Sequence, residues 1–201
     1  MEVLSNLGAL LGGSWASGVN LYLTVAGLGI AHRTGLINLP GNLDSISAIP
    51  VIAVAILLYA IEFFADKIPY VDSAWDSVHT FIRPVGGALL AYMAMADVGP
   101  AAQIPVALLS GAVSMDSHLT KATSRAAINT SPEPISNSVA SVTEDALVVG
   151  VLYLIAKHPI IAGILVILFI LFSIWFLKMM FRFLKKVFRF FFKNPQPQAA
   201  S

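Results

Sequence analysis

The sequence predicts an all-α, polytopic membrane helical bundle of about six membrane segments, and three observations carry that expectation. Of 201 residues, 57% are hydrophobic and only 11% are charged, where a soluble domain carries about 25% charged residues. The stretch Ile160–Leu177 has Ser173 as its one clearly polar side chain; at about 1.5 Å per residue it covers roughly 27 Å, close to the hydrocarbon thickness. Lysine and arginine are also unevenly placed along the chain. If six segments cross, ten bases fall on one side and Arg33 and Lys157 alone on the other, a positive-inside pattern that predicts both termini in the cytoplasm.

In chain order, Leu4–Leu11 is apolar but interrupted by Gly12-Gly13-Ser14, which predicts a short half-helix or interfacial piece. Trp15–Ala31 is the first segment able to cross, ended by His32 and Arg33. Four runs follow, Ile49–Ile61, Val85–Ala96, Ile104–Met115 and Ala146–Ala156. Each supplies about 20 Å of a roughly 30 Å core, so each either stops short or brings charge into the membrane. Pro159 suits the first turn of the last segment. Glu2 stands where a cleavable signal would carry its basic region, so no signal peptide is expected.

Residues 1–177 therefore form the expected membrane domain. After Leu177, Arg182, Lys185, Lys186, Arg189 and Lys193 lie opposite Phe181, Leu184, Phe188 and Phe191 at helical spacing, which predicts a separate basic, aromatic helix over 178–193 at the membrane surface. Residues 194–201, rich in Pro and Gln, are expected to be disordered. A weak internal echo sets 49–96 against 104–156: Ile49-Pro50-Val51 with Glu62 and Lys67 parallels Ile104-Pro105-Val106 with Asp116 and Lys121. A two-fold repeat of charged hairpins, crossing or re-entrant, would face a central site across a pseudo-symmetry axis.

The charges beside the short runs are the candidate site. Glu62 and Asp66 are four apart and share a helix face with Lys67 beside them, as a proton relay or cation ligand would require, or as a helix end at the interface would show. Asp76 lies three residues after Ser73, so it reads either as part of a capping box or, with Asp72, His79 and Arg83, as one face of a helix. A buried Arg83 needs an anion, internal or bound. Asp116, His118, Lys121 and Arg125 alternate in sign, and the segment Asn129–Ser138 is expected to be extended and then capped by Ser136 or Asn137, leaving N–H groups for an anionic headgroup. Glu144 and Asp145 precede an apolar run; Ser141 with Glu144 fits a capping box, and Arg83 and Lys121 are the expected partners of Glu144.

Several classes are excluded or unsupported. With no cysteine, disulfides, thiol catalysis and cysteine-ligated metals are out. A net charge of +1 argues against a nucleic-acid partner. Nucleophile-elbow, zincin, phosphate-loop and dinucleotide signatures are missing from the sequence. No cofactor or metal is predicted, although Glu62, Asp66, Asp116 and His118 would suit an oxygen- and histidine-ligated ion.

The string Glu62-x-x-x-Asp66-Lys67-Ile68-Pro69-x-x-Asp72-x-x-x-Asp76, then Arg83-Pro84, His118-x-x-Lys121-x-x-x-Arg125, Pro134-x-x-Asn137 and Glu144-Asp145, resembles a bacterial family of small integral-membrane proteins known as a domain of unknown function, DUF4126. The resemblance covers roughly residues 10 to 157 and excludes the basic tail. It implies a multi-helix protein of the bacterial inner membrane and carries no activity to these positions.

Three functions are compatible with this reading. The first is a small transporter, channel or lipid-handling protein, with Glu62 and Asp116 as the ion-responsive acids and Arg83, Lys121 and Arg125 balancing them or holding an anionic amphiphile. The second is a membrane enzyme acting on a lipid phosphate through an acid-ligated metal, and the third a scaffold whose ion pairs only lock helices. The expected partners are the bilayer and a small ion or anionic amphiphile, with a homo-oligomer left open.

Overall fold

The computed structural model describes residues 2–130 and 134–192, and helices are the sole regular structure among them. Seven α-helices follow in order: α1 (Glu2–Val19), α2 (Leu21–Arg33), α3 (Ile49–Ala65), α4 (Val71–Ala94), α5 (Pro100–Ile128), α6 (Pro134–Lys157) and α7 (Pro159–Phe192). Short 3-10 turns at Gly41–Ser47 and Ala96–Val98 join α2 to α3 and α4 to α5.

The direction of each helix follows from its contacts. Gly8 lies against Pro159 and Gly163, and Trp15 packs edge-on to Phe169 with ring centroids 5.4 Å apart, so α1 runs parallel to the first half of α7. A side chain at Gly8 would collide with the Pro159 carbonyl, so this close approach requires glycine. At Asn20 the chain turns back: its backbone is extended at φ −150° and ψ 98°, and its side chain accepts from the Leu23 N–H, capping α2. Leu28 of α2 then packs in one cluster with Leu10 of α1. Helices α1 and α2 are thus a hairpin entered from the end where α7 begins, here the proximal end, with its tip buried at Asn20.

From the proximal end α3 runs to the distal end, α4 returns, α5 runs out again, α6 returns and α7 runs out. Antiparallel α4 and α5 touch along their length: Gln103 Nε2 donates to the Tyr92 carbonyl at 2.8 Å, Gly111 sits against the Pro84 backbone, and Thr80 Oγ1 lies 3.0 Å from His118 Nε2. Residue 2 is therefore at the proximal end and residue 192 at the distal end of the bundle.

Other expectations are corrected here. Gly12-Gly13-Ser14 does not break α1; Gly12 lets Ile155 and Ala162 approach, and the break falls at Asn20, which splits the expected Trp15–Ala31 segment. The apolar runs are cores of longer helices, so Glu62, Arg83, Asp116, His118, Lys121, Glu144 and Asp145 lie inside helices, while Asp66 and Lys67 do mark the end of α3. Ser73 and Ser141 do not open helices, because α4 starts at Val71 and α6 at Pro134; neither capping box forms, and Asn137 lies inside α6. The basic segment after Leu177 continues α7 without interruption through Phe192. Residues 193–201, including the tail expected to be disordered, lie outside the described residues.

The interior contains Glu62, Asp66, Asp72, Asp76, Arg83, Lys121 and Arg125, while Phe64, Phe81, Leu108, Val149, Leu168 and Leu171 face outward. Among the described residues two helical stretches, Ile135–Lys157 and Pro159–Phe183, are long and apolar enough to cross a membrane, or three if the bent pair Gly41–Ser47 and Ile49–Ala65 forms one span.

Candidate functional site

Four helices bring their polar residues to one level beneath the hairpin tip. Helix α3 supplies Glu62 near its end and Asp66 as its cap residue; α4 supplies Asp76 and Arg83, two turns apart on one face; α5 supplies His118, Lys121 and Arg125; α6 supplies Asn137 and Glu144. Helical periodicity explains the alignment, since residues three or four apart stack on the same side.

Arg83 is completely buried and stands at the proximal edge of the cluster. Its Nη2 donates to Glu62 Oε1 at 2.7 Å and its Nη1 to the Gly18 carbonyl at 3.1 Å; Asp76 Oδ1 is 3.5 Å from Nη2. Nη1 also lies 2.9 Å from His118 Nδ1. Because a guanidinium only donates, His118 Nδ1 is the acceptor, and its ring proton sits on Nε2 facing Thr80 Oγ1 at 3.0 Å.

Lys121 is the centre of the ladder. Its Nζ reaches Asp66 Oδ2 at 2.8 Å, Glu62 Oε1 at 3.4 Å and Glu144 Oε2 at 3.5 Å, and also approaches the Val19 carbonyl at 3.4 Å. Arg125 closes the distal side with a two-point pair to Glu144, Nε to Oε1 at 3.0 Å and Nη2 to Oε2 at 2.7 Å, and donates through Nη1 to the backbone carbonyls of Asp66 and Asn137. The partner expected for Glu144 is corrected accordingly: Arg125 takes its carboxylate two-point, Lys121 touches it from 3.5 Å, and Arg83 is committed to Glu62. Breaking such a buried pair by removing one partner costs about 3–5 kcal/mol, because the other charge is left uncompensated.

The hairpin tip joins this cluster through backbone. Gly18 and Val19 are the last residues of α1, where carbonyls lack intrahelical partners and the helix dipole is negative. Arg83 and Lys121 satisfy those two carbonyls, so the end of α1 acts as a fixed partial anion opposite two bases.

The charges do not balance. Among the described residues, four carboxylates (Glu62, Asp66, Asp76, Glu144) face three bases (Arg83, Lys121, Arg125) within the ion pairs. Buried Asp72 adds a further carboxylate, held by Asn129 Nδ2 at 2.9 Å. Both oxygens of Asp76, Glu62 Oε2, Asp66 Oδ1 and Asp72 Oδ1 are buried without a hydrogen-bond partner. Asp76 Oδ1 near Arg83 is thus a charge contact at 3.5 Å that falls short of a hydrogen bond.

Three expected members stand elsewhere. Asp116 points away from the cluster, and both its oxygens accept from Ser173 Oγ of α7 at 2.8 and 2.7 Å. Asp145 accepts from Asn20 Nδ2 at 3.1 Å and Tyr59 OH at 2.9 Å, so it buttresses the hairpin tip. Lys67 places its ammonium over the Phe63 ring and donates to the Phe63 carbonyl at 2.9 Å, with Ser141 Oγ at 3.5 Å. Among the described residues no group of three His, Asp or Glu side chains is placed to hold a metal ion.

Sequence reasoning missed Asn20, Asn129, Tyr59 and the Gly18 and Val19 carbonyls. Asn20 left a signal, as a lone amide inside an apolar run; the carbonyls left none, because they depend on where the helix breaks. Two clefts flank the cluster without being lined by it: one of about 420 Å³ at the proximal end floored by Gly13, Ser14 and Gly87, and one of about 500 Å³ between α5 and α7.

No curated protein and no solved structure matches this chain. The polar string on α3 to α6 is the part of the sequence that resembled a known family, and the match proves longer than those helices, reaching into α7. Residues 7–179 match the family described as Domain of unknown function (DUF4126), and the chain belongs to that family.

Proposed function

We propose that this chain is an integral membrane protein that moves a proton or small monovalent cation through the buried cluster. The observation that carries the reading is the surplus of enclosed carboxylate, above all Asp76, whose two oxygens are buried without a hydrogen-bond partner. An uncompensated buried carboxylate is costly, and ionisable groups held at membrane depth mark ion pathways far more often than they serve stability. A discontinuous helix whose broken end faces that site has the architecture transporters use to build central binding sites.

In this reading α3 to α7 cross and the α1–α2 hairpin re-enters. The distal end, with Lys67 and the α7 bases Lys178, Arg182, Lys185, Lys186 and Arg189, faces the cytoplasm of a bacterial inner membrane, and the proximal end faces outward. Glu62, Asp66 and Asp76 take up the ion; Arg83, Lys121 and Arg125 keep the remaining carboxylates paired while it passes. Arg83, bonded to Gly18, separates the cluster from the proximal cleft and serves as the gate. Glu144, with 16% of its side chain exposed, is the opening toward the distal side.

The scaffold reading has one observation in its favour, that each cluster base is engaged in ion pairs. The unpartnered oxygens weigh against it, since a lock gains nothing from surplus charge. Proton and cation flux into vesicles carrying the purified chain separates the two: Asp76→Asn abolishes flux if the cluster conducts, and unchanged flux would remove Asp76 from any pathway.

A further inference from the structure

Below the Asp116–Ser173 contact, α5 and α7 part, and a groove of about 500 Å³ opens between them toward the distal end. Its walls are Leu119 and Thr123 of α5 and Leu177 and Phe181 of α7, and Lys178 and Arg182 line the same groove. Lys178 and Arg182 are four residues apart, so they project on one face, and both are exposed. Among the described residues neither takes part in a salt bridge, whereas the cluster bases Arg83, Lys121 and Arg125 all do.

The position along α7 fixes the depth. The apolar stretch able to cross ends at Phe183, so the groove lies where hydrocarbon gives way to headgroups. Ser173, which clasps Asp116, is about 7 Å deeper than Lys178 and about 13 Å deeper than Arg182 at helical rise. The Asp116 carboxylate is thus placed beside the apolar part of a ligand rather than beside its charge.

We propose that this groove binds one anionic phospholipid, its phosphate held between Lys178 and Arg182 and an acyl chain lying along Leu119, Leu177 and Phe181. The two halves of the groove select for both properties together. A free phosphate would leave the apolar walls wet, and a zwitterionic lipid would bring its own cation against two bases; basic pockets between helices on the cytoplasmic side have the chemistry for anionic headgroups. The inference rests on the membrane placement of α7 and is independent of ion movement through the cluster.

Native mass spectrometry of the full chain in detergent tests it, with phosphatidylglycerol, phosphatidylcholine of the same acyl chains, and inorganic phosphate as probes. The expected result is one saturable phosphatidylglycerol, weakened roughly 25-fold by Lys178→Gln with Arg182→Gln, at about five-fold for each surface cation. Thr123→Trp, which fills the groove and leaves both charges, also abolishes it. The triple change Lys185→Gln, Lys186→Gln and Arg189→Gln, which removes three basic charges outside the groove against two within it, leaves the bound lipid in place. Equal binding of phosphatidylcholine, displacement by inorganic phosphate, retention in Thr123→Trp, or loss in the triple variant equal to that in Lys178→Gln with Arg182→Gln would each overturn the assignment. Flux through the cluster is measured separately, so its failure and the failure of lipid binding are told apart.

Discussion

Arg83 of α4 donates to the Gly18 carbonyl of α1 at 3.1 Å, and this bond ties the end of α1 to a buried ion-pair cluster. The same guanidinium holds Glu62 at 2.7 Å, so one side chain joins the hairpin, α3 and α4.

Removing either member of that pair is expected to be severe, and removing both far less so. Arg83→Met or Glu62→Met alone leaves a buried charge and should cost about 3–5 kcal/mol, whereas the double change should recover most of the loss. Thermal stability followed by size-exclusion chromatography in detergent checks this; additive losses in the double variant would show that the two charges do not compensate each other.

Gly18 should tolerate no side chain, because a Cβ there collides with the Ser114 carbonyl and Ser117 Oγ of α5. Gly18→Ala is expected to force α1 off α5 and sharply lower the folded yield. Gly150→Ala, on α6 with nothing within 4 Å of the new carbon, should be neutral or stabilise by up to about 1 kcal/mol. Equal yields for the two variants would contradict the packing at the hairpin tip.

Asn20 does two jobs that substitutions separate. Asn20→Ser keeps the cap on α2 and loses the bond to Asp145, while Asn20→Ala loses both, about 1 kcal/mol more. Asn20→Asp keeps the cap but sets a carboxylate against Asp145 Oδ1, now 3.1 Å from the amide nitrogen, and should be the least stable of the three at neutral pH. A melting series in which Asn20→Asp ranked above Asn20→Ser would contradict this geometry.

The absence of cysteine from the sequence allows the topology to be read by labelling. A membrane-impermeant thiol reagent applied outside whole cells should modify Ser5→Cys and Leu36→Cys at the proximal end and spare Ile68→Cys in the α3–α4 turn. Labelling of Ser5→Cys only after the membrane is opened would return the amino terminus to the cytoplasm and contradict the proposed re-entry of the α1–α2 hairpin.

Much of this was legible in the sequence because charge in an apolar chain is conspicuous. Glu62, Asp66, Asp76, Arg83, Lys121, Arg125 and Glu144 stand out by cost alone, and the structure gathers these seven in one cluster. Their pairing was not legible: the polar string does not say that Glu144 takes Arg125, because that depends on how α5 and α6 sit across a link not set by local pattern. Asp116 shows the limit most clearly. Its spacing parallels Glu62, yet its face turns to α7, where Ser173, the one polar side chain of an otherwise apolar stretch, receives it. The helix break was misplaced for a related reason. Two glycines and a serine look like a break in local propensity, but packing against Ile155 and Ala162 keeps α1 helical there, and the single cap-forming Asn20 decides where it ends.

The most direct measurement is proton and monovalent-cation flux across vesicles reconstituted with the purified chain, comparing wild type with Asp76→Asn. Among the described residues the Asp76 side chain makes a single charge contact, at 3.5 Å to Arg83, so its amide should leave the fold intact. Flux in the wild type that is lost in a folded Asp76→Asn variant is the predicted result. Flux that persists unchanged in that variant, or a wild type that moves neither ion, would contradict a conducting role for the buried carboxylates.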